Sequence, residues 1–181
     1  GSFVKNLKSV GNLTEMAIYT PLAKKDAVRI VDEFALGELL SVTGIKDGSV
    51  NTHYLLETKR GRFFAKIDEI KGELEVKQEL DLLLYLKKQG FPCLQPIKSK
   101  TGRHYVEING KILTVSRYLE GAELRAEALN ATHLTALGNA LANLHLIGRG
   151  YKKGIDNRFG FNRIVMIYRE ARRQLPPHLK H

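Results

Sequence analysis

Cysteine is almost absent: Cys93 is the single one among 181 residues. That excludes an internal disulfide framework and any zinc site built from cysteines. No apolar run approaches the roughly 18–20 residues that a membrane-spanning helix needs. The first residues hold no apolar stretch of the signal-peptide kind, and no internal repeat or low-complexity tract is visible. These absences point to a soluble, cytoplasmic protein. Acidic residues run short in the last third, where residues 128–181 carry nine Lys/Arg but only Asp156 and Glu170. That segment accounts for +7 of the net +10, while the remainder is nearly balanced. The basic end could be a solvated surface, half of an ionic surface, or a grip on phosphate or RNA. Tyr and Phe sit mostly in apolar strand patterns rather than among the basic residues, which argues against base stacking.

Hydrophobic residues make up 43% and charged residues 27%, the balance of a globular chain able to bury a core. Residues 1–15 are polar and patternless and read as a tag or leader, with Met16 as a native start. Thr20-Pro21 reads as a helix start, Ala27, Val28, Ile30, Val31 and Phe34 follow at helical spacing, and Gly37 is expected to end that helix. Short strands follow at 39–45, 52–58 and 62–67, separated by Lys46-Asp47-Gly48-Ser49 and Lys59-Arg60-Gly61. A second helix spans about residues 72–89, with Leu74, Leu82, Leu83 and Leu86 expected on its buried stripe and Gly90 at its end. Asn109-Gly110 is the strongest short hairpin signal and joins 104–108 to 112–118. Asn130 can cap a helix to about Ile147 with Leu134, Leu137, Leu141 and Leu144 on one face, and a last helix runs over about 163–175. The order is helix, three strands, helix, two strands, then helices only.

Four places could carry chemistry. The loop from Gly44 to Asn51 has few side chains, so its backbone N–H groups can approach phosphate oxygens; most loops of this kind are simply hairpins. Lys66 stands in the strand Phe63-Phe64-Ala65-Lys66-Ile67, on the same face as Phe64. Phe64 could wall a base while Lys66 meets phosphates; otherwise the lysine is an edge residue reaching for water. Glu75 and Glu79 lie four apart on one side of the second helix, where a carboxylate could hold the Lys66 ammonium. The segment Val115 to Gly121 ends the strands, and its backbone could meet an adenine edge. His145, at the end of a leucine-striped helix, reads as a packed structural residue.

These residues resemble the aminoglycoside phosphotransferase/choline kinase superfamily of small-molecule kinases. The segments that carry the resemblance are Met16 to Thr20, Leu36 to Leu40, Gly48 to Tyr54, Gly90 to Cys93, Tyr118 to Gly121 and Leu144 to Arg149. Within that superfamily they are most similar to the bacterial type II homoserine kinases. The resemblance implies an α+β, protein-kinase-like fold: an antiparallel-sheet N-lobe with one packed helix over 16–118, then a hinge and the first helices of an incomplete helical C-lobe over 119–181. It implies ATP with Mg²⁺ as cofactors and a small hydroxylated metabolite as acceptor, L-homoserine giving O-phospho-L-homoserine in threonine synthesis. An aminoglycoside or choline-like alcohol is the other acceptor class, and a basic RNA-binding module is the alternative of a different kind.

The resemblance assigns Gly48, Ser49, Val50 and Asn51 to the phosphate loop and Lys66 to the phosphates. Glu79 becomes the lysine's partner with Glu75 as fallback, and Arg117 and Leu119 offer backbone atoms to adenine. Many homoserine kinases of this type lack the strand lysine, so Lys66 departs toward the wider superfamily. The family's His-Gly-Asp catalytic loop and later metal-binding Asp do not occur here. The chain is therefore expected to be inactive alone, with no catalytic or metal residue of its own, and to expose apolar surface through which it could associate.

Overall fold

The computed structural model describes residues 20–45, 50–122, 124–154 and 160–174. Through Tyr151 these residues form one compact unit, and those from Lys152 onward belong to a second. The first unit opens with helix α1 (Lys24–Glu33), followed by strands β1 (Leu39–Ile45), β2 (Thr52–Thr58) and β3 (Gly61–Asp68). Helix α2 (Glu73–Lys88), strands β4 (Tyr105–Ile108) and β5 (Lys111–Arg117), and helix α3 (Ala131–Gly148) complete it. The second unit holds α4 (Phe161–Gln174). No described helix is long and apolar enough to cross a membrane.

The five strands make one sheet in the order β1-β2-β3-β5-β4, with every pairing antiparallel. Two tight turns fix its register. Thr58 pairs with Gly61 across Lys59-Arg60, and Ile108 pairs with Lys111 across Asn109-Gly110. Asn109 and Gly110 have φ of 51° and 73°, the left-handed pair that matches the right-handed twist of the strands. Strict alternation then sends β2 and β3 side chains to opposite faces. Leu56, Phe63, Ala65 and Ile67 join Leu113 and Val115 with Ala27, Ile30 and Val31 of α1 and Phe34 just after it in the main core. Burying each large aliphatic there contributes about 1.5–3 kcal/mol. On the other face Val76 and Leu80 of α2 meet Tyr105 and Ile112 in a smaller cluster.

Several expectations change. Helix α1 begins at Lys24 after Ala23, which makes no side-chain cap, so Thr20 is not its capping residue. The backbone N–H of Thr20 donates to Thr52 Oγ1 at 3.1 Å, and its hydroxyl donates to Glu69 Oε2 at 3.0 Å. Ala35, not Gly37, ends the helix. It takes φ of 52° while the Leu36 N–H donates to the Val31 carbonyl at 2.9 Å, the six-to-one closure that glycine usually serves. Leu74 stands exposed on α2, whose buried residues are Val76, Leu80 and Leu86. Asn130 does cap α3, accepting from the His133 N–H at 3.1 Å. That helix has no fully buried residue, and Leu134, Leu137 and Leu141 are exposed.

Candidate functional site

The face of the sheet under α2 is the chemically informative one. Alternation along β3 puts Phe64, Lys66 and Asp68 on it, beside Thr114 and Ser116 of β5. Phe64 and the His53 ring lie 5.1 Å apart between centroids. Phe64, Lys66, Thr114 and Ser116, with Glu79, Leu80 and other residues of α2 and the segment after it, bound a cavity of about 50 Å³ between α2 and the sheet. Lys66 is thus not an edge lysine reaching water: β3 lies inside the sheet, and the side chain is 15% exposed.

Its ammonium has two carboxylate neighbours. Lys66 Nζ donates to Glu79 Oε1 at 2.5 Å and lies 3.2 Å from Asp68 Oδ2. Glu79 also accepts from Lys71 through Oε2, and Lys71 Nζ is 3.8 Å from Asp68 Oδ1. Two lysines and two carboxylates therefore form a closed ring of charge. Burial acts to raise the Glu79 pKa, but hydrogen bonds from Lys66 and Lys71 outweigh it and hold the group below the ordinary carboxylate value. Asp68 goes the other way. Its side chain is buried, and neither oxygen has a hydrogen-bond partner among the described residues. Burial pushes its pKa up, with Lys66 offsetting part and Glu79 adding to the rise. For His53 burial comes first and the Lys66 charge second, and both lower the pKa.

The choice between the two glutamates of α2 is decided by what each touches. Glu75 Oε2 accepts from the Gly72 N–H at 3.0 Å and closes the first turn of the helix. Glu79, one turn further, reaches the lysine. A strand lysine held by a helix carboxylate across a five-stranded antiparallel sheet is the arrangement kinases use to grip nucleotide phosphates.

The phosphotransferase enzyme family model matches residues 41–179. The chain belongs to this family. Curated relatives of this phosphotransferase-family chain include homoserine kinases. That of Methylobacillus flagellatus is 32% identical over 80% of this chain and 45% of its own length. That of Caulobacter vibrioides is 30% identical over 91% of this chain and 52% of its own. The chain spans about half the length of the curated relatives it matches. Among solved structures, an amicoumacin kinase in complex with AMP-PNP, Ca²⁺ and Ami has a TM-score of 0.59 at 19% identity, covering 82% of this chain and 54% of that one. A spectinomycin phosphotransferase in complex with ADP and spectinomycin has a TM-score of 0.56 at 12% identity, over 87% and 50%. These two establish the kinase-like α+β fold of the sheet and its helices.

The remaining candidate residues of this phosphotransferase-family chain fall in different places. Gly48 and Ser49 lie outside the described residues. Val50 is exposed, and Asn51 Oδ1 accepts from the Glu69 N–H at 3.3 Å, so its side chain fixes the strand ends. That contact belongs to a polar knot in which Glu69 accepts from Thr20, Thr52 and Lys111. Arg117 and Leu119 flank the end of β5, both exposed. The segment is braced from β3: Arg62 donates to Glu120 at 2.9 and 2.8 Å, and its guanidinium lies 4.3 Å from the Tyr118 ring centroid. Residue-level reading missed Asp68, Lys71, His53 and Arg62. Alternation from Lys66 would have found Asp68, two positions along the same face. Among the described residues no group of three or more His, Cys, Asp or Glu could hold a metal ion. The described side chains by themselves do not form a Mg²⁺ site.

Proposed function

We propose that this chain is the nucleotide-gripping part of an ATP-dependent small-molecule kinase whose acceptor is L-homoserine, yielding O-phospho-L-homoserine. The observation that carries the reading is the 2.5 Å contact between Lys66 Nζ and Glu79 Oε1, on the strand and helix where a kinase-like fold holds its phosphate lysine. In this reading ATP lies against the sheet face that bears Phe64. Its phosphates meet Lys66 and the backbone of Gly48 to Asn51, and its adenine meets backbone atoms of Arg117 and Leu119. Glu79 fixes where the ammonium stands, so that little rotamer entropy is lost when phosphate arrives. The whole family of 16–118 as an ATP lobe and 119–181 as hinge and first C-lobe helices is part of the same proposal. The homoserine acceptor is supported by the curated relatives, and the fold neighbours support an antibiotic-type alcohol as the second reading.

Two measurements test this. Saturating ATP at about 100 times its Kd should add about 2.7 kcal/mol of stability to the chain. For a chain of this size that is several degrees in thermal unfolding. Lys66→Ala should lower the unliganded midpoint, because it leaves Asp68 and Glu79 without its ammonium, and should remove most of the ATP-dependent shift measured from that new midpoint; an undiminished shift would refute the assignment of Lys66. The acceptor is tested separately, with a protein that carries this chain at the length of its relatives. Turnover with homoserine is expected, and turnover with choline or an aminoglycoside alone would overturn the acceptor.

A further inference from the structure

The first unit contains a second polar feature, of which the kinase reading uses only the backbone of Arg117. An open groove of about 670 Å³ runs along the last turns of α2, the segment 95–98, His104 just before β4 and the end of β5. Its lining brings together Lys87, Lys88, Lys98, His104 and Arg117, with no carboxylate side chain among them. Elsewhere in the unit Lys59, Lys66, Lys71, Lys77, Lys100 and Lys111 each hold a carboxylate. Lys87, Lys88, Lys98 and Arg117 form no ion pair among the described residues.

Chance explains part of this arrangement. The negative end of the α2 dipole favours cations in the last turn, which accounts for Lys87 and Lys88. It does not account for Lys98, His104 or Arg117, which arrive from three other places in the chain. The charges also act on one another: after burial, Lys98 and Lys87 lower the His104 pKa. Holding like charges in one concavity costs free energy unless an anion joins them. The volume lies within the range of small-ligand sites, about 300–1,000 Å³, and Leu84 and Pro96 give it an apolar wall.

We propose that this groove is an anion site for a small oligophosphate, separate from the Lys66 site. A planar guanidinium can take two phosphate oxygens at once, while three ammonium groups supply point charges for a neighbouring phosphate. Adjoining phosphates match this spread of donors better than a single carboxylate does.

The probe is inorganic pyrophosphate, titrated calorimetrically against the chain at low salt. Lys87→Glu with Lys98→Glu should weaken binding at least about tenfold, both in the parent and together with Lys66→Ala, which removes the phosphate contact of the other site. Affinity should also fall as salt rises. If the double glutamate variant fails to fold by circular dichroism, Lys87→Gln with Lys98→Gln gives the same reading through charge removal. No binding at millimolar pyrophosphate, or binding that the groove variants leave unaffected in the Lys66→Ala background, would each overturn the proposal.

Discussion

Lys66, Asp68, Lys71 and Glu79 are close enough that none can be changed alone without consequence for the others. Glu79 is the member with two strong hydrogen bonds, one to each lysine. Glu79→Gln should therefore cost about 1–3 kcal/mol in urea unfolding at neutral pH, whereas Glu75→Gln, which keeps a helix-capping acceptor, should cost under about 0.5 kcal/mol. Equal costs would show that the lysine contact contributes nothing beyond helix electrostatics. Asp68 has the opposite sign. Its folded pKa lies above the ordinary value, so between those two values the native state binds more protons than the unfolded chain. Stability must fall as pH rises through that window. Asp68→Asn should abolish this decline and raise stability by about 1 kcal/mol near neutral pH. Urea midpoints of parent and variant taken from about pH 4 to about pH 7 check it, and parallel curves would defeat the argument. Glu79, held low, contributes the reverse slope: its stabilisation is present above the ordinary carboxylate value and is lost as pH falls through the folded one.

At the scale of elements, local chemistry was legible where it depended on sequence neighbours. The Asn109-Gly110 hairpin, the Asn130 cap and the alternating strands are all set within a few residues, and each lies where the pattern puts it. Choices made by distant partners were not legible. Thr20 is drawn from capping into the Glu69 knot by residues 32 and 49 positions away, and no window along the chain contains that information. Leu74 stands outside because α2 presents Val76 and Leu80 to Tyr105 and Ile112, a rotation that strand β5 decides. Helix spacing left Glu75 and Glu79 both open as partners of Lys66, and the family resemblance chose Glu79. Asp68, two positions from Lys66 on the same face, was within reach of the same alternation, whereas Lys71 lies beyond the strand and is brought to the contact by the turn into α2. Ala35 exposes a testable local conflict. An L-residue with a Cβ carries about 1 kcal/mol of strain at φ of 52°, and Ala35 is exposed with no packing to lose. Ala35→Gly should raise stability by about 0.5–1 kcal/mol, measured by chemical denaturation; a loss would mean that unfolded-state entropy outweighs the relief.

Across the molecule, stability cannot be evenly spread, because buried apolar surface is not. Strands β3 and β5 sit between neighbours on both sides of the sheet, and Ala65, Ile67, Leu113 and Val115 are almost wholly shielded from water. Helix α3 has no fully buried residue, and its contacts with α2 centre on Tyr85, whose hydroxyl donates to the Ile147 carbonyl at 3.0 Å and whose ring stands 5.2 Å from that of Tyr151. An 18-residue helix without a packed face is only marginally stable in water, since most helical stability comes from tertiary packing. Native-state hydrogen exchange should therefore find the β3 and β5 amides protected to the global unfolding free energy. The α3 amides should exchange through local opening, with protection lower by several kcal/mol. Tyr85→Phe should lower the protection of the last α3 turn and leave the sheet untouched, because it removes one hydrogen bond of about 1 kcal/mol at that end. Protection of α3 equal to that of β5 would mean that the helix shares the sheet's cooperativity, and the exposed leucines at 134, 137 and 141 would then need a partner surface to explain it.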